Sequence, residues 1–155
     1  MKIMNNSINI NWYPGHMAKA KREIAEDMRL IDVVAEILDA RIPKSSQNSD
    51  IQGIIKNKKK IILLNKCDLA SENETKGWQK YFKEQGIPSV CINANEGKGI
   101  NQVISVIEDV MKEELELERQ RGRINKTIRV LVLRNSKCAE SHPLSIKFQK
   151  RIHLK

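Results

Sequence analysis

The stretch that decides the fold is Ile61–Leu69, with the sequence IILLNKCDL. Its first four residues are apolar and branched, a composition that predicts a strand buried on both faces of a sheet. The polar residues Asn65, Lys66, Cys67 and Asp68 follow directly, at the carboxyl end of that strand. Open α/β sheets bind their ligands at this end of the strands. We call Asn65–Asp68 the polar corner, and we expect it to bind a ligand.

The chemistry of the polar corner suits a guanine base. The Asp68 carboxylate offers two acceptor oxygens, which can take hydrogens from guanine N1 and from the exocyclic amine. Asn65 can bridge the base and a neighbouring loop, and the aliphatic part of Lys66 can lie along the ring face. An Asn-Lys-x-Asp pattern is short enough to occur by chance, so its sequence neighbours must support the interpretation.

Helical and strand-like patterns alternate along the rest of the chain. Strands are predicted at 33–39, 61–64, 88–95 and 127–133, and helices at 17–31, 49–57, 73–85 and 99–122. Pro43 is expected to end regular structure after the first strand, and 45–48 to form a polar loop. Alternating elements with right-handed crossovers give a mostly parallel sheet with helices on both faces. The sequence therefore predicts an α/β fold.

Length and composition favour a single cytoplasmic domain. The chain has 155 residues, of which 40% are hydrophobic and 30% charged, as in ordinary globular proteins. We find no membrane-spanning apolar run and no signal peptide at the amino terminus. The three cysteines, Cys67, Cys91 and Cys138, are odd in number and far apart, which argues against a disulfide framework and a zinc site. No membrane partner is expected.

The net charge of +9 is concentrated at one end. Residues 134–155 contain six Lys or Arg and one Glu, so they contribute +5 of that charge. A basic surface of this kind favours contacts with nucleic-acid phosphates. A second basic run, 56–60, lies just before the central strand, where solvated charge is the expected role.

Four motifs in order resemble the circularly permuted GTPases. They are WYPGHM at Trp12–Met17, DARIP at Asp39–Pro43, NKCD at Asn65–Asp68, and Asn93-Ala94. More narrowly, residues 11–133 resemble the bacterial ribosome biogenesis GTPase A family nearly continuously. The resemblance implies a circularly permuted P-loop GTPase domain, in which the guanine motif precedes the phosphate loop.

The resemblance also implies ligands, a reaction and partners. The family binds GTP and GDP with Mg²⁺, hydrolyses GTP to GDP and phosphate, and acts in late assembly of the large ribosomal subunit, with that subunit and its rRNA as partners. In this sequence Asn65, Lys66 and Asp68, with Cys67 between them, would contact the guanine. Asn93 and Ala94 match the motif whose backbone amide faces guanine O6.

Two other motifs match the family without an assured catalytic role. They contain His16, which follows a Pro-Gly turn, and Asp39, which ends a predicted strand. For His16 two interpretations stay open, a histidine in a surface turn and a contact to a phosphate or a partner.

The resemblance breaks where the phosphate loop should begin. The family has Gly-x-Pro-Asn-Val-Gly-Lys-Ser after the strand that corresponds to 127–133, a loop whose amides and lysine bind phosphate and whose serine binds Mg²⁺. Here residues 134–143 read RNSKCAESHP, without a glycine and without the Lys-Ser pair. We therefore divide the chain into a leader at 1–10, the amino-terminal part of a permuted GTPase domain at 11–133, and an atypical basic tail at 134–155. The domain is expected to be truncated after the strand that precedes the phosphate loop.

A shift of reading frame would explain the tail. With suitable codons, the DNA that encodes Arg134–Lys137 gives Gly-Ile-Pro-Asn when translation starts one base later. The DNA that encodes Ala139–Lys155 gives a stretch that begins Gly-Lys-Ser when translation starts on the third base of each codon. Three hypotheses follow: a truncated or frameshifted GTPase that in this form does not catalyse hydrolysis, a non-enzymatic RNA- or ribosome-binding module, and a non-functional pseudogene product. Four parallel strands with an exposed edge at 128–133 would also make the chain marginally stable.

Overall fold

The computed structural model describes residues 28–47, 49–123, 126–134 and 147–151, together with the helical positions 22, 25 and 26. Several predicted features lie outside these residues. They are the leader 1–10, the WYPGHM motif with His16, most of the predicted helix 17–31, and nearly all of the segment 134–143, which stands where the family has its phosphate loop.

Within the described residues, five strands form one sheet in the order β3-β2-β1-β4-β5. The strands are β1 (Val33–Asp39), β2 (Lys59–Asn65), β3 (Ser89–Ile92), β4 (Thr127–Arg134) and β5 (Lys147–Arg151). Strands β1 to β4 are parallel to one another, and β5 is antiparallel to β4. The predicted α/β fold with a mostly parallel sheet is confirmed.

Helices cover both faces of this sheet. They are α1 (Pro43–Ser46), α2 (Ser49–Ile55), α3 (Glu72–Glu84) and α4 (Ile100–Gln120), with 3₁₀ turns at Met28–Leu30 and Cys67–Leu69. Helix α4 packs on one face through Ile107, Met111 and Leu115, while α2 and α3 pack on the other face. No helix in the described part of the chain is long and apolar enough to cross a bilayer.

Alternation along β1 and β2 explains why two layers of helix are needed. Val33 and Ala35 point towards α4, whereas Val34 and Leu38 point towards the opposite layer. In β2, Ile61 to Leu64 are all at most 6% exposed. A strand buried on both faces loses contact with water on both sides, which is why its sequence is a continuous apolar run. The polar corner follows where this run ends.

The loop after β1 differs from the expectation at Pro43. Pro43 does not end regular structure; it begins α1, which takes in half of the predicted loop 45–48. A proline is well suited to the first turn of a helix, because its fixed φ is close to helical and the N–H it lacks would have no partner within the helix. The helix ends at Ser46, whose hydroxyl donates to the Ile42 carbonyl at 2.7 Å.

The expectation of an exposed edge at 128–133 is wrong for 128–131, which pair with a further strand. Strand β5 pairs with β4 from Thr127 to Leu131, and Ile128, Leu131 and Leu133 are all at most 6% exposed. Residues of the basic tail thus supply backbone partners along this part of β4. The sequence did not signal this strand, because 147–151 (KFQKR) contains a single apolar residue.

Candidate functional site

The polar corner lies at the carboxyl end of β2, as the sequence predicts. Asn65 is the last residue of the strand, and Lys66 adopts the left-handed conformation with φ 62°. The following 3₁₀ turn is closed by the Leu69 N–H, which donates to the Lys66 carbonyl at 3.0 Å. The Asp68 side chain is exposed to solvent. The chain therefore turns sharply after the strand. The Asp68 carboxylate lies at the carboxyl ends of the strands, where open α/β sheets bind their ligands.

Asn65 connects the polar corner to the loops that follow the neighbouring strands. Its side-chain oxygen Oδ1 accepts from the Ala94 N–H at 3.1 Å, and its backbone carbonyl accepts from the Ala40 N–H at 2.8 Å. Asn65 thus joins the ends of β1, β2 and β3, which are adjacent in the sheet. The structure brings together Asn65 and Ala94, which are 29 residues apart in sequence.

The loop after β3 is shaped by the buried side chain of Asn93. Its Oδ1 accepts from the N–H groups of Asn95 and Glu96, at 3.1 and 3.3 Å. The backbone of Asn93 also exchanges two hydrogen bonds with Lys98, each 3.1 Å long. The Ala94 N–H, which belongs to the motif whose backbone amide faces guanine O6 in the family, donates to Asn65 in this structure. Side-chain oxygens therefore accept from three successive amides of the loop.

Gly99 closes the same loop where the backbone passes very near β3. Its φ is 86°, and a Cβ placed there would lie 2.4 Å from the Cys91 carbonyl oxygen. A real Cβ does not approach backbone so closely, and a positive φ disfavours every other residue type. Glycine is therefore required at 99 for the loop to return to helix α4.

Cys67, the variable position of the motif, faces inward. It packs against the cluster that contains Leu64 and Phe82, and its thiol donates to the Leu64 carbonyl at 2.9 Å. Burial, with a smaller effect from the neighbouring Cys91 thiol, raises the pKa of Cys67 to about 12. The side chain therefore stays a neutral thiol and anchors the turn to the core.

Asp39, whose role the sequence left undefined, lies at the carboxyl end of β1 beside the polar corner. Its carboxylate accepts two hydrogen bonds from the Arg41 guanidinium, at 2.9 and 2.7 Å, and a third from the Arg41 N–H at 3.0 Å. The Lys66 ammonium is 3.6 Å from the same carboxylate. The side-chain bonds from Arg41 are the main reason why the pKa of Asp39 falls from 3.8 to about 2, against the opposing effect of burial.

Most of the basic run at 56–60 is not solvated charge, so that expectation is wrong. Lys58 donates to the Ile31 carbonyl at 2.9 Å, and Lys59 donates to the Val110 carbonyl at 2.8 Å. Lys60 lies 2.6 Å from the buried Glu36. Strand β2 begins within this run, so the lysine side chains lie against neighbouring segments of the fold. Their ammonium groups bind backbone carbonyls and carboxylates there.

A cleft of about 660 Å³ lies between α3, β3 and α4. Of the predicted site residues, only Cys67 lines it. The other lining residues are mainly polar or small and include Glu72, Thr75, Lys76, Gln79, Ser89, Cys91 and Gln102. The exposed Asp68 and the Asn93–Ala94 loop do not line it, so this cleft shares only Cys67 with the predicted guanine contacts.

Comparison with known proteins supports the resemblance. No family model matches the chain. The chain is 46% identical over 126 residues to "Ribosome biogenesis GTPase A" of Bacillus pumilus, an alignment that covers 81% of this chain and 45% of the relative. It is 33% identical over 101 residues to "Mitochondrial ribosome-associated GTPase 1" of Bos taurus, covering 64% of this chain and 30% of the relative.

A solved structure agrees with these relatives. The crystal structure of GNP-bound YlqF from T. maritima is similar with a TM-score of 0.51 and 30% identity, over 74% of this chain and 41% of that chain. The chain spans less than half the length of the curated relatives that it matches. Over the 81% of its length that aligns with the Bacillus pumilus protein, the chain belongs to the circularly permuted GTPases of the ribosome biogenesis GTPase A type.

Proposed function

We propose that this chain carries the guanine-recognition half of a GTPase that acts in ribosome biogenesis. The observation that carries the proposal is the hydrogen bond from the Ala94 N–H to Asn65 Oδ1, 3.1 Å long. It joins two loops that the resemblance assigns to the base, although they are far apart in sequence. The names of the relatives support a GTPase connected with ribosomes.

Each residue of the polar corner has a separate task in this proposal. The exposed Asp68 carboxylate accepts from guanine N1–H and from the exocyclic amine, a donor pair that adenine lacks. The aliphatic part of Lys66 covers one face of the base. Asn65 holds the polar corner and the Asn93–Ala94 loop in one arrangement, and Cys67 anchors the turn to the core.

The phosphates and Mg²⁺ do not have a comparable set of residues. In the family the loop after the strand equivalent to β4 supplies glycine amides, a lysine and a serine. The sequence after β4, 134–143, has no glycine and no Lys-Ser pair. The residues present thus do not fit a phosphate and Mg²⁺ site of the family type, and a chain with this sequence binds GTP weakly and does not hydrolyse it.

The missing loop has a simple genetic explanation. Reading Arg134–Lys137 one base later, and Ala139–Lys155 from each third base, gives Gly-Ile-Pro-Asn and a stretch that begins Gly-Lys-Ser, for permitted codons. Residues 134–155 are then an out-of-frame translation, and the uninterrupted gene product hydrolyses GTP with Mg²⁺ on the large ribosomal subunit and its rRNA, in the cytoplasm. Resequencing the gene across Leu133 to Lys155 tests this: an in-frame phosphate loop is expected, and confirmation of the present frame would refute it.

A non-enzymatic RNA-binding module is the second candidate, favoured by the net charge of +9. Much of that charge lies at 134–155, and three lysines of the run 56–60 bind within the fold. Tight, salt-dependent RNA binding that survives deletion of 134–155 would favour this module over a GTPase. We expect the deletion to remove most of the RNA affinity.

Calorimetric titration of the full chain with GTP tests the proposed function. We expect binding of about 1 mM or weaker, because the base contributes contacts while the phosphates lack their cradle. Sub-millimolar affinity for GTP would show that the phosphate site is intact in a form that the sequence does not reveal. Equal affinity for ATP would contradict guanine recognition.

A further inference from the structure

Lys66 has an unusual backbone conformation at the centre of the polar corner. Among the residues that the structure describes, it is the one non-glycine residue with a positive φ, and its φ and ψ are 62° and 36°. Residues with a Cβ are disfavoured there, because the Cβ crowds the following carbonyl oxygen. Residues held in such conformations are often fixed by surrounding contacts at functional sites. Some contact must therefore favour this turn.

The Asp39 carboxylate is positioned to make that contact. Asp39 pairs with Asn65 in the register of β1 and β2, so its side chain lies one residue from Lys66 across the sheet. The Asp39 side chain is only 4% exposed, and its Oδ2 lies 3.6 Å from the Lys66 ammonium. Ala40 donates to the Asn65 carbonyl at 2.8 Å, which fixes the two strand ends together.

Arg41 keeps this carboxylate charged and oriented. Its guanidinium donates to both carboxylate oxygens and its backbone N–H to one of them. With a pKa of about 2, Asp39 is ionised at neutral pH. A buried, fully charged acceptor with a fixed direction attracts a nearby ammonium more strongly than a solvated carboxylate does.

We infer that Asp39 is a positioning residue for the polar corner: its buried carboxylate holds the Lys66 ammonium and, through it, the left-handed turn that presents Asp68. The part of this inference that concerns the base rests on the proposed function. The conformational part does not, because the contact and the turn involve only residues of this chain. The competing explanation is that Asp39 only closes its own loop through Arg41, while the Leu69 N–H bond to the Lys66 carbonyl holds the turn.

The test compares two carboxylates at opposite ends of the same segment. Asp39→Asn removes the charge beside Lys66. Asp32→Asn is the matched control, because Asp32 lies just before β1, accepts from the Arg129 N–H at 2.8 Å and lies 3.6 Å from the Lys126 ammonium. Two properties of the full chain are measured for each variant, the backbone scalar couplings of Lys66, which report φ, and the affinity for guanosine by NMR titration.

We expect Asp39→Asn to shift the Lys66 couplings towards an average of several conformations and to weaken guanosine binding about tenfold, the change typical of losing one charge-assisted contact. Asp32→Asn should leave both unchanged. Unaltered Lys66 couplings and guanosine affinity in folded Asp39→Asn would overturn the inference. If the unmodified chain does not bind guanosine, the proposed function fails, and the couplings still decide the role of Asp39.

A second variant covers the possibility that Asp39→Asn does not fold. Lys66→Met removes only the ammonium, at a side chain that is 32% exposed, and keeps the bonds between Asp39 and Arg41. The couplings of residue 66 should lose their left-handed values. If they keep those values, the ion pair does not hold the turn and the inference is wrong.

Discussion

The Asn65 side-chain oxygen accepts a hydrogen bond from the Ala94 N–H at 3.1 Å, and this bond joins the loops after β2 and β3. Replacing Asn65 by alanine should lower the free energy of unfolding by about 1 kcal/mol, since one hydrogen bond is lost. The Ala94 amide should also exchange faster with solvent deuterium. Chemical denaturation and amide exchange measure the two effects.

Asn65→Asp is the control for that variant, because its carboxylate keeps an acceptor oxygen at the same place. Protection of the Ala94 amide should be retained in Asn65→Asp and lost in Asn65→Ala. Equal protection in both variants would mean that the bond from Ala94 does not hold the loop.

Gly99→Ala should be severely destabilising, by about 3 kcal/mol, because its Cβ would meet the Cys91 carbonyl. Gly97→Ala is the matched control. Gly97 also has a positive φ, 69°, but a Cβ there has no atom within 4 Å. Gly97→Ala should lower the free energy of unfolding by about 1 kcal/mol, from the backbone conformation alone. Urea unfolding of both variants measures the difference, and equal costs would contradict the close approach.

Asp39 should make stability depend on pH in the acid range. Its pKa is lowered from 3.8 to about 2 in the folded protein, so the folded state favours the ionised form. The contribution of Asp39 ionisation to the free energy of unfolding is about 2 kcal/mol. It is fully present above about pH 4 and is lost as the pH falls through about 2. Urea unfolding at several pH values, compared with Asp39→Asn, measures it. A stability gap that stays constant from pH 6 to pH 2 would assign the effect to something other than this titration.

Lys60→Met should destabilise the fold by about 3 kcal/mol, because it leaves the buried Glu36 charge without its lysine. The Lys60 and Glu36 side chains are 11% and 5% exposed, and their charged atoms are 2.6 Å apart. Lys76→Met, at the exposed pair with Glu72, is the control and should produce no measurable change. Thermal unfolding compares them, and similar melting temperatures would show that the buried pair contributes little.

The sequence was sufficient to predict the parallel sheet and the polar corner. The run Ile61 to Leu64 is apolar because both of its faces are buried, and the polar residues after it could only lie at a strand end. Register between strands is harder to predict from sequence. The pairing of Asp39 with Asn65, which brings Lys66 to Asp39, depends on how β1 aligns with β2.

Two other features could not be inferred from local pattern. In sequence, the lysines at 58–60 resemble a solvated run. In the structure their long side chains reach distant segments, where the ammonium groups bind carbonyls and a carboxylate. Strand β5 has a polar composition, and it forms because β4 offers unpaired backbone groups rather than because its own side chains favour a strand. Both the lysine contacts and strand β5 therefore depend on segments that are distant in sequence.

The most direct test of guanine recognition is an NMR titration of the isotope-labelled chain with guanosine and, separately, with adenosine. These ligands lack phosphates, so the missing phosphate loop does not affect the comparison. We predict that guanosine shifts the amide signals of Asn65–Asp68 and of Asn93-Ala94 while adenosine leaves them in place. Equal shifts with both nucleosides, or shifts confined to the cleft between α3 and α4, would contradict a guanine site at the polar corner.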